Sequence, residues 1–271
     1  MMSMEDIFET TDIDNDTKDD VSKLKVICTN DFIELKDKLT DIEFISIEGK
    51  SNEEIIKTFN GKELVFIIAG TRTKGIAKCV KDLGATVIVF IDKDDISNIA
   101  TGAYIFTKND IKSKSPFFQI IDVSKAIDSY IFVDDYDKTI IFQILKAILD
   151  IVAISGLVNL NIRDVEAILS NAGEVYIGVG EASGEDATIE ATKAAINYIN
   201  GDISTATALL LSIIGPVDAF TLMEVNAASS LLQDSVHKDA EIIWGVTVDE
   251  SIKDTIKVTI IVTRLLRTNA R

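Results

Sequence analysis

Four stretches in the first third of the chain are almost unbroken apolar runs: Lys23–Cys28, Ile42–Ile47, Glu63–Ile68 and Ala85–Ile91. Each is too short for a buried helix and is bounded by polar or turn residues, so each predicts a strand buried on both faces. The segments between them carry helical patterns. Asp31–Leu39 predicts a short helix with Asn30 or Asp31 at its N-cap. Ser51–Phe59 predicts a second, opened by Ser51 and Glu54 as a capping box. A third spans about 74–83. Strands alternating with helices imply a parallel sheet covered on both sides. Between Asp92 and Asp128 the periodicity fades, and Lys108–Pro116 reads as polar loop. Ser129–Val133 predicts another strand, and residues 135–154 a long helix that stops before Ser155-Gly156.

Past that helix strands outnumber helices. Strands are predicted at 174–179, Ala206–Ile214, Glu241–Val248 and Ile256–Val262. Helices are predicted at Val165–Leu169, Asp186–Tyr198 and Thr221–Leu232, the last opened by a Thr221/Glu224 capping box. The pattern predicts a second α/β domain joined to the first through the long helix, with no internal repeat. The greasiest run, Thr139–Ile154, is interrupted by Gln143, Lys146 and Asp150, which suits a buried helix and not a bilayer span.

With 271 residues, 47% of them hydrophobic, the chain can bury a large core. A formal net charge of −17 argues against nucleic acid and anionic membranes as partners. The charge is uneven: residues 1–20 hold eight acids against Lys18 alone, a net of −7, and predict a disordered acidic tail. Cys28 and Cys79 are two lone thiols in apolar settings, which with the acidic N-terminus suits a reducing cytoplasm. His237 is the only histidine and the cysteines lie far from it in sequence, so no metal site is expected; Trp244 follows Ile242-Ile243 and reads as core.

The strand at 63–68, the following helix and the strand at 85–91 form a strand–turn–helix–strand unit, a usual setting for phosphate binding. The turn reads Gly70, Thr71, Arg72, Thr73, Lys74, Gly75. A phosphate nest needs several backbone N–H groups aimed at one anion, in conformations that glycine adopts cheaply. Two glycines five apart do not supply it, and the order of residues around Lys74 is not that of a P-loop. Arg72 and Lys74 retain charge alone, so this turn is either a residual anion site or a solvated basic cap on a structural unit.

Three segments of the second half resemble FtsZ, the tubulin homologue of bacteria and archaea: SGLVNLNIRDVEAILSNAGEVYIGVGEASGEDATIEATKAAI (155–196), LLLSIIGPVDAFTLMEVNAA (209–228) and AEIIWGVTVDESIKDTIKVTIIVT (240–263). Their wording is closest to archaeal, methanogen-type FtsZ. KLKVI, EFISI, ELVFIIAG, KCVKDLGATVIV and IDSYIFV match the family's first domain more thinly. The resemblance implies an α/β, tubulin/FtsZ-like fold: a Rossmann-like parallel sheet, a long central helix and a second α/β domain. It divides the chain into an acidic tail (1–22), a nucleotide domain (23–133), the central helix (134–155), the C-terminal domain (156–264) and a short basic end (265–271). The resemblance implies a long flexible tail with an adaptor peptide after the C-terminal domain; Arg264–Arg271 are basic and short and are not expected to serve as one.

The family's glycine loops are where the resemblance fails. After the first strand FtsZ has a glycine run that meets the phosphates; here Cys28-Thr29-Asn30-Asp31 follows. The family's GGGTGTG is reduced to residues 70–75, its NTD segment to Glu48-Gly49-Lys50, and its guanine-facing helix start to Asp134–Lys138. The catalytic NxDxxD loop, which in FtsZ reaches over a neighbour's nucleotide, reads Asn159-Leu160-Asn161-Ile162-Arg163-Asp164, with Asn161 in place of the first acid. An amide cannot accept a proton from the attacking water. The plainer reading is that Asn159 and Asp164 only cap the next helix. The loop Glu181–Glu185 and Asp218 match surface features of the family whose simpler role is a turn. The resemblance therefore implies a cytoskeletal, cell-division protein whose partners are FtsZ-type subunits, with self-association as a variant and no bound cofactor. The rivals are a compact GTP-hydrolysing filament former and a scaffold that does not polymerise.

Overall fold

A computed structural model describes residues 20–68, 73–91, 127–133, 137–154, 158–199, 203–216, 221–249 and 251–264. Among the described residues nine strands form one sheet in the order β2-β1-β3-β4-β5-β6-β9-β7-β8. They are β1 Leu24–Cys28, β2 Glu43–Ser46, β3 Leu64–Ile68, β4 Thr86–Ile91, β5 Ser129–Phe132, β6 Gly173–Ser183, β7 Ala208–Gly215, β8 Glu241–Val248 and β9 Thr255–Arg264. Neighbours are parallel except where β9 lies antiparallel between β6 and β7. The two halves of the sheet meet through a short seam, Ser129 opposite Gly173 and Tyr130 opposite Glu174.

The helices are α1 Asn52–Ile56, α2 Thr73–Asp82, α3 Lys138–Ala153, α4 Ile162–Leu169, α5 Ala187–Tyr198 and α6 Leu222–Ser235, with a 3₁₀ segment at Asn30–Asp37 and a shorter one at Ile203–Thr205. The predicted helix at 31–39 is this 3₁₀ segment. Phe32 and Leu35, three residues apart, are its buried side chains, and that spacing falls on one side of a three-residue turn. Ser51 and Glu54 form the expected capping box, as do Thr221 and Glu224. Helix α4 begins three residues before the predicted 165 because its cap lies upstream.

Strands β1, β3 and β4 are buried along nearly their whole length, as their apolar runs require. One core layer joins β1, β3 and β4 to α3, α4 and the 3₁₀ segment. A second packs α1 and α2 on the opposite face. A third packs α5 and α6 on the C-terminal strands. Helix α5 sits directly on β6: a Cβ at Gly178 or Gly180 would lie 2.1 Å from the Ala195 carbonyl oxygen or 2.0 Å from that of Ala191. Lys25, in the middle of this apolar architecture, is held by Glu43 at 3.1 Å, Glu63 at 3.0 Å and the Thr58 carbonyl at 2.6 Å.

The long helix α3 enters at the carboxyl end of β5 and leaves at its amino end. Its 16 residues separate the two ends of the sheet by about 24 Å at 1.5 Å per residue. Asp150, on its last turn, is buried and bonded to Lys146 and, at 2.8 Å, to Lys257 of β9. Tyr198 of α5 donates to Gln143 at 2.9 Å. The helix is thus tied to the C-terminal half of the sheet by polar contacts as well as by packing. Among the described residues no helix is long and apolar enough to cross a membrane.

Candidate functional site

The carboxyl ends of β1–β5 form the crevice where a parallel sheet ordinarily holds a nucleotide. Polar side chains of the chain itself close the β1 corner. Glu48 accepts the backbone N–H of Asn30 at 3.1 Å. Ser46 donates its hydroxyl to Asn30 Oδ1 at 2.7 Å, and its Oγ accepts the Glu48 N–H at 3.3 Å. Gly49 turns the chain with φ of 70°, which swings Glu48 back over the strand end. The Cys28 thiol beneath is fully buried; burial, helped by the Glu48 charge, pushes it up to about 12, so it stays protonated and inert.

The start of α3 is similarly committed. Asp137 caps it, accepting from the N–H groups of Thr139 at 2.7 Å and Ile140 at 3.3 Å. Lys138 pairs with Glu34 at 2.8 Å and lies 5.7 Å over the Phe32 ring. The ion pair holds the Glu34 carboxyl below its ordinary range. Asp134, Asp135 and Tyr136 lie outside the described residues, as do Gly70, Thr71 and Arg72. Thr73, Lys74 and Gly75 open α2, following the carboxyl end of β3.

Asn159, Asn161 and Asp164 lie elsewhere, past the exit of α3. The loop is pinned to β8 by a two-way backbone bridge: the Val158 N–H to the Val246 carbonyl at 3.2 Å, and the reverse at 3.1 Å. Gly245 permits the approach, since a Cβ there would meet Leu160 Cγ at 2.5 Å. Asn161 Oδ1 accepts the N–H of Arg163 at 2.8 Å and of Asp164 at 3.3 Å. Asp164 Oδ2 accepts the Asn161 N–H at 2.8 Å. This is a capping box: Asp164 caps the helix as the plainer reading expected, but its partner and the N-cap residue is Asn161, not the expected Asn159. The remaining orphan N–H of the first turn, on Ile162, points to Asp20 Oδ2 at 3.4 Å.

The structure therefore keeps the loop Asn159–Asp164 apart from the carboxyl end of β3: the length of α3 stands between them. One copy of the chain does not unite the two halves of the candidate site. Sequence reasoning passed over Glu48, Glu34 and Asp20. Glu48 stood in a segment noted only for what it lacked, and Asp20 was counted as tail; contacts 18 and 142 residues apart leave no local pattern.

The Asp239 N–H donates to His237 Nδ1 at 3.2 Å, and Trp244 packs half-buried at the edge of the C-terminal core. Glu181 and Ser183 lie at the end of β6, with Gly184 just after it, and Ser183 meets Thr255 at 3.1 Å. Asp218 lies outside the described residues. No group of three or more His, Cys, Asp or Glu side chains is arranged for a metal among the described residues. A cleft of about 420 Å³ opens between β5, α3, β6 and α5, lined mainly by apolar side chains that include Phe132, Ile144 and Ile177.

Residues 173–266 match the FtsZ family, C-terminal domain. Among solved structures the chain is similar to a point mutant of FtsZ from M. jannaschii, at 19% identity, 89% of this chain, 91% of that chain and a TM-score of 0.64. It is similar to an empty FtsZ dimer from the same organism, at 19% identity, 98% of this chain, 93% of that chain and a TM-score of 0.65. It is also similar to CetZ2 from Haloferax volcanii in a GTPγS-bound protofilament, at 12% identity, 91% of this chain, 94% of that chain and a TM-score of 0.60.

Proposed function

We propose that this member of the FtsZ/tubulin superfamily, with an FtsZ C-terminal domain over residues 173–266, is a pseudo-GTPase that binds the end of an FtsZ-type filament and caps it. The observation that carries the reading is the Glu48 carboxylate on the Asn30 N–H. At that strand end the family presents backbone N–H groups to phosphate. Here an internal anion takes the N–H, and its charge opposes a second one. The reading gives residues 23–133 a nucleotide domain without a nucleotide, and residues 156–264 the partner-binding surface.

The opposite end retains the shape of a contact loop. Asn159–Asp164 is rigidly held by the Val158–Val246 bridge and the capping box. Set against a neighbour's nucleotide, it offers one carboxylate, Asp164, and that carboxylate already accepts the Asn161 N–H. Water activation is correspondingly poor. Relatives solved as a dimer and as a protofilament support association of this fold with copies or with homologues.

The test is co-sedimentation with a cognate FtsZ, with GTP turnover and filament length recorded together. Substoichiometric protein shortens filaments and lowers turnover per subunit. Asn161→Asp, which keeps the cap and supplies the second acid, raises turnover at the capped end without restoring growth. Unchanged length and turnover at equimolar protein overturns the reading in favour of a scaffold.

A further inference from the structure

The acids around the Asn159–Asp164 loop are engaged by the chain itself. Asp164 Oδ2 accepts the Asn161 N–H at 2.8 Å. Asp20 holds Lys23 at 3.1 Å and accepts the Ile162 N–H at 3.4 Å. Glu166, further along α4, is half-buried, and burial raises its carboxyl. Two cations are not so engaged. Arg163, on the first turn of α4, is exposed; its backbone N–H goes to Asn161, and its guanidinium has no hydrogen bond or ion pair among the described residues. Lys62, in the turn before β3, is exposed and likewise without one. Both lie near enough to Glu166 to lower its carboxyl against the effect of burial, as does Lys23. Arg163 and Lys62 therefore share one face with the loop. In a chain of formal net charge −17, the uncommitted charge on this face is positive.

We propose that Arg163, supported by Lys62, recognises the terminal phosphate of a nucleotide carried by the partner subunit, so that this face selects a triphosphate-bearing end over a diphosphate-bearing one. The proposal rests on the capping reading, which sets this face against a neighbour's nucleotide. A guanidinium is planar and always charged, and its paired N–H groups match two oxygens of one phosphate. Attraction between exposed charges fades beyond about 10 Å at moderate salt, so the outermost phosphate dominates the contact. The Val158–Val246 bridge and the capping box hold the backbone beside Arg163, so only the side chain has to order when the contact forms. The contact adds affinity and not turnover. Asn161 leaves the loop without a second acid to activate water, and an interaction made equally in the ground and transition states does not speed the chemistry.

The experiment titrates the full chain, Arg163→Gln and Arg163→Lys against FtsZ subunits loaded with GTPγS or with GDP. The unaltered chain binds the GTPγS form more tightly, and the preference narrows as salt is raised. Arg163→Gln weakens binding to the GTPγS form by about tenfold, the scale of one hydrogen bond to a charged group. It binds the two forms alike, and its thermal midpoint stays at the parent value because the side chain is exposed. Arg163→Lys keeps part of the preference, since it retains the charge but not the fork. If the unaltered chain binds both forms equally, or Arg163→Gln binds the GTPγS form as tightly as the parent, phosphate recognition by Arg163 is overturned and the capping reading stands. If the unaltered chain binds neither form, the capping reading fails, and this inference with it.

Discussion

The Glu48 side chain accepts the backbone N–H of Asn30 at 3.1 Å, across the carboxyl end of β1. An acceptor of the chain's own fills a position where an anion-binding strand end would present a donor. Calorimetry with GTP and Mg²⁺ is expected to show a dissociation constant weaker than about 1 mM, or less than about 4 kcal/mol of binding. Glu48→Ala frees the N–H but adds no glycine to the β1 or β3 turn, so a single donor replaces a nest. GTP binding by the variant stays in the same weak range. Micromolar binding by the unaltered protein contradicts the pseudo-GTPase reading.

Asn161 and Asp164 cap α4 reciprocally, side chain to backbone in both directions. Asn161→Ala and Asp164→Ala are each expected to cost about 1 kcal/mol of stability. The double variant costs less than the two singles added, because each single already weakens the partner's contact. Asn161→Asp holds the thermal midpoint near that of the parent, since aspartate caps as well as asparagine. A full-additive double variant in denaturant melts shows that the two residues act separately.

The elements were legible where local chemistry decides them. The apolar runs of β1, β3 and β4 define strands whatever surrounds them, and Ser51/Glu54 and Thr221/Glu224 are cap signatures contained within four residues. The FtsZ-like wording of the C-terminal part was readable, and residues 173–266 match the FtsZ C-terminal domain; for the whole chain the agreement is one of fold. What sequence did not disclose is side-chain pairing across distance. Asp150 reads as a flaw in an apolar helix until β9 brings Lys257 to it. Asp20 reads as the last acid of a tail until α4 places an N–H beside it. Asp164 was legible as a cap, but the sequence reading paired it with Asn159, and the structure makes Asn161 the N-cap.

Asp150 joins α3 to β9, and its two lysines differ in exposure: Lys146 is 42% exposed and Lys257 20%. Asp150→Ala leaves Lys257 partly buried without its carboxylate and is expected to cost about 3 kcal/mol. Lys146→Ala removes a mostly solvated i,i+4 partner and costs about 0.5 kcal/mol or less. The contrast, read from chemical denaturation of the two variants, tests whether α3 is fastened to the C-terminal half of the sheet at this point. Equal small losses mean that packing alone fastens it.

Glu166 lies half-buried on α4, and burial is the main cause that raises its carboxyl above the ordinary carboxylate range. A raised carboxyl binds its proton more tightly in the folded state than in the unfolded state. Below the unfolded value both states are protonated and Glu166 costs nothing. As pH rises through the folded value the native state must ionise a partly desolvated group, and the cost appears in full. Glu166→Gln removes that ionisation while keeping size and hydrogen-bonding capacity. At neutral pH it is expected to raise the melting temperature by about 1–3 °C. Near pH 4 the advantage shrinks toward zero. Melts of both proteins across this range check the sign: an advantage that grows on acidification means that Lys23, Lys62 and Arg163 stabilise the charged carboxylate more than burial opposes it.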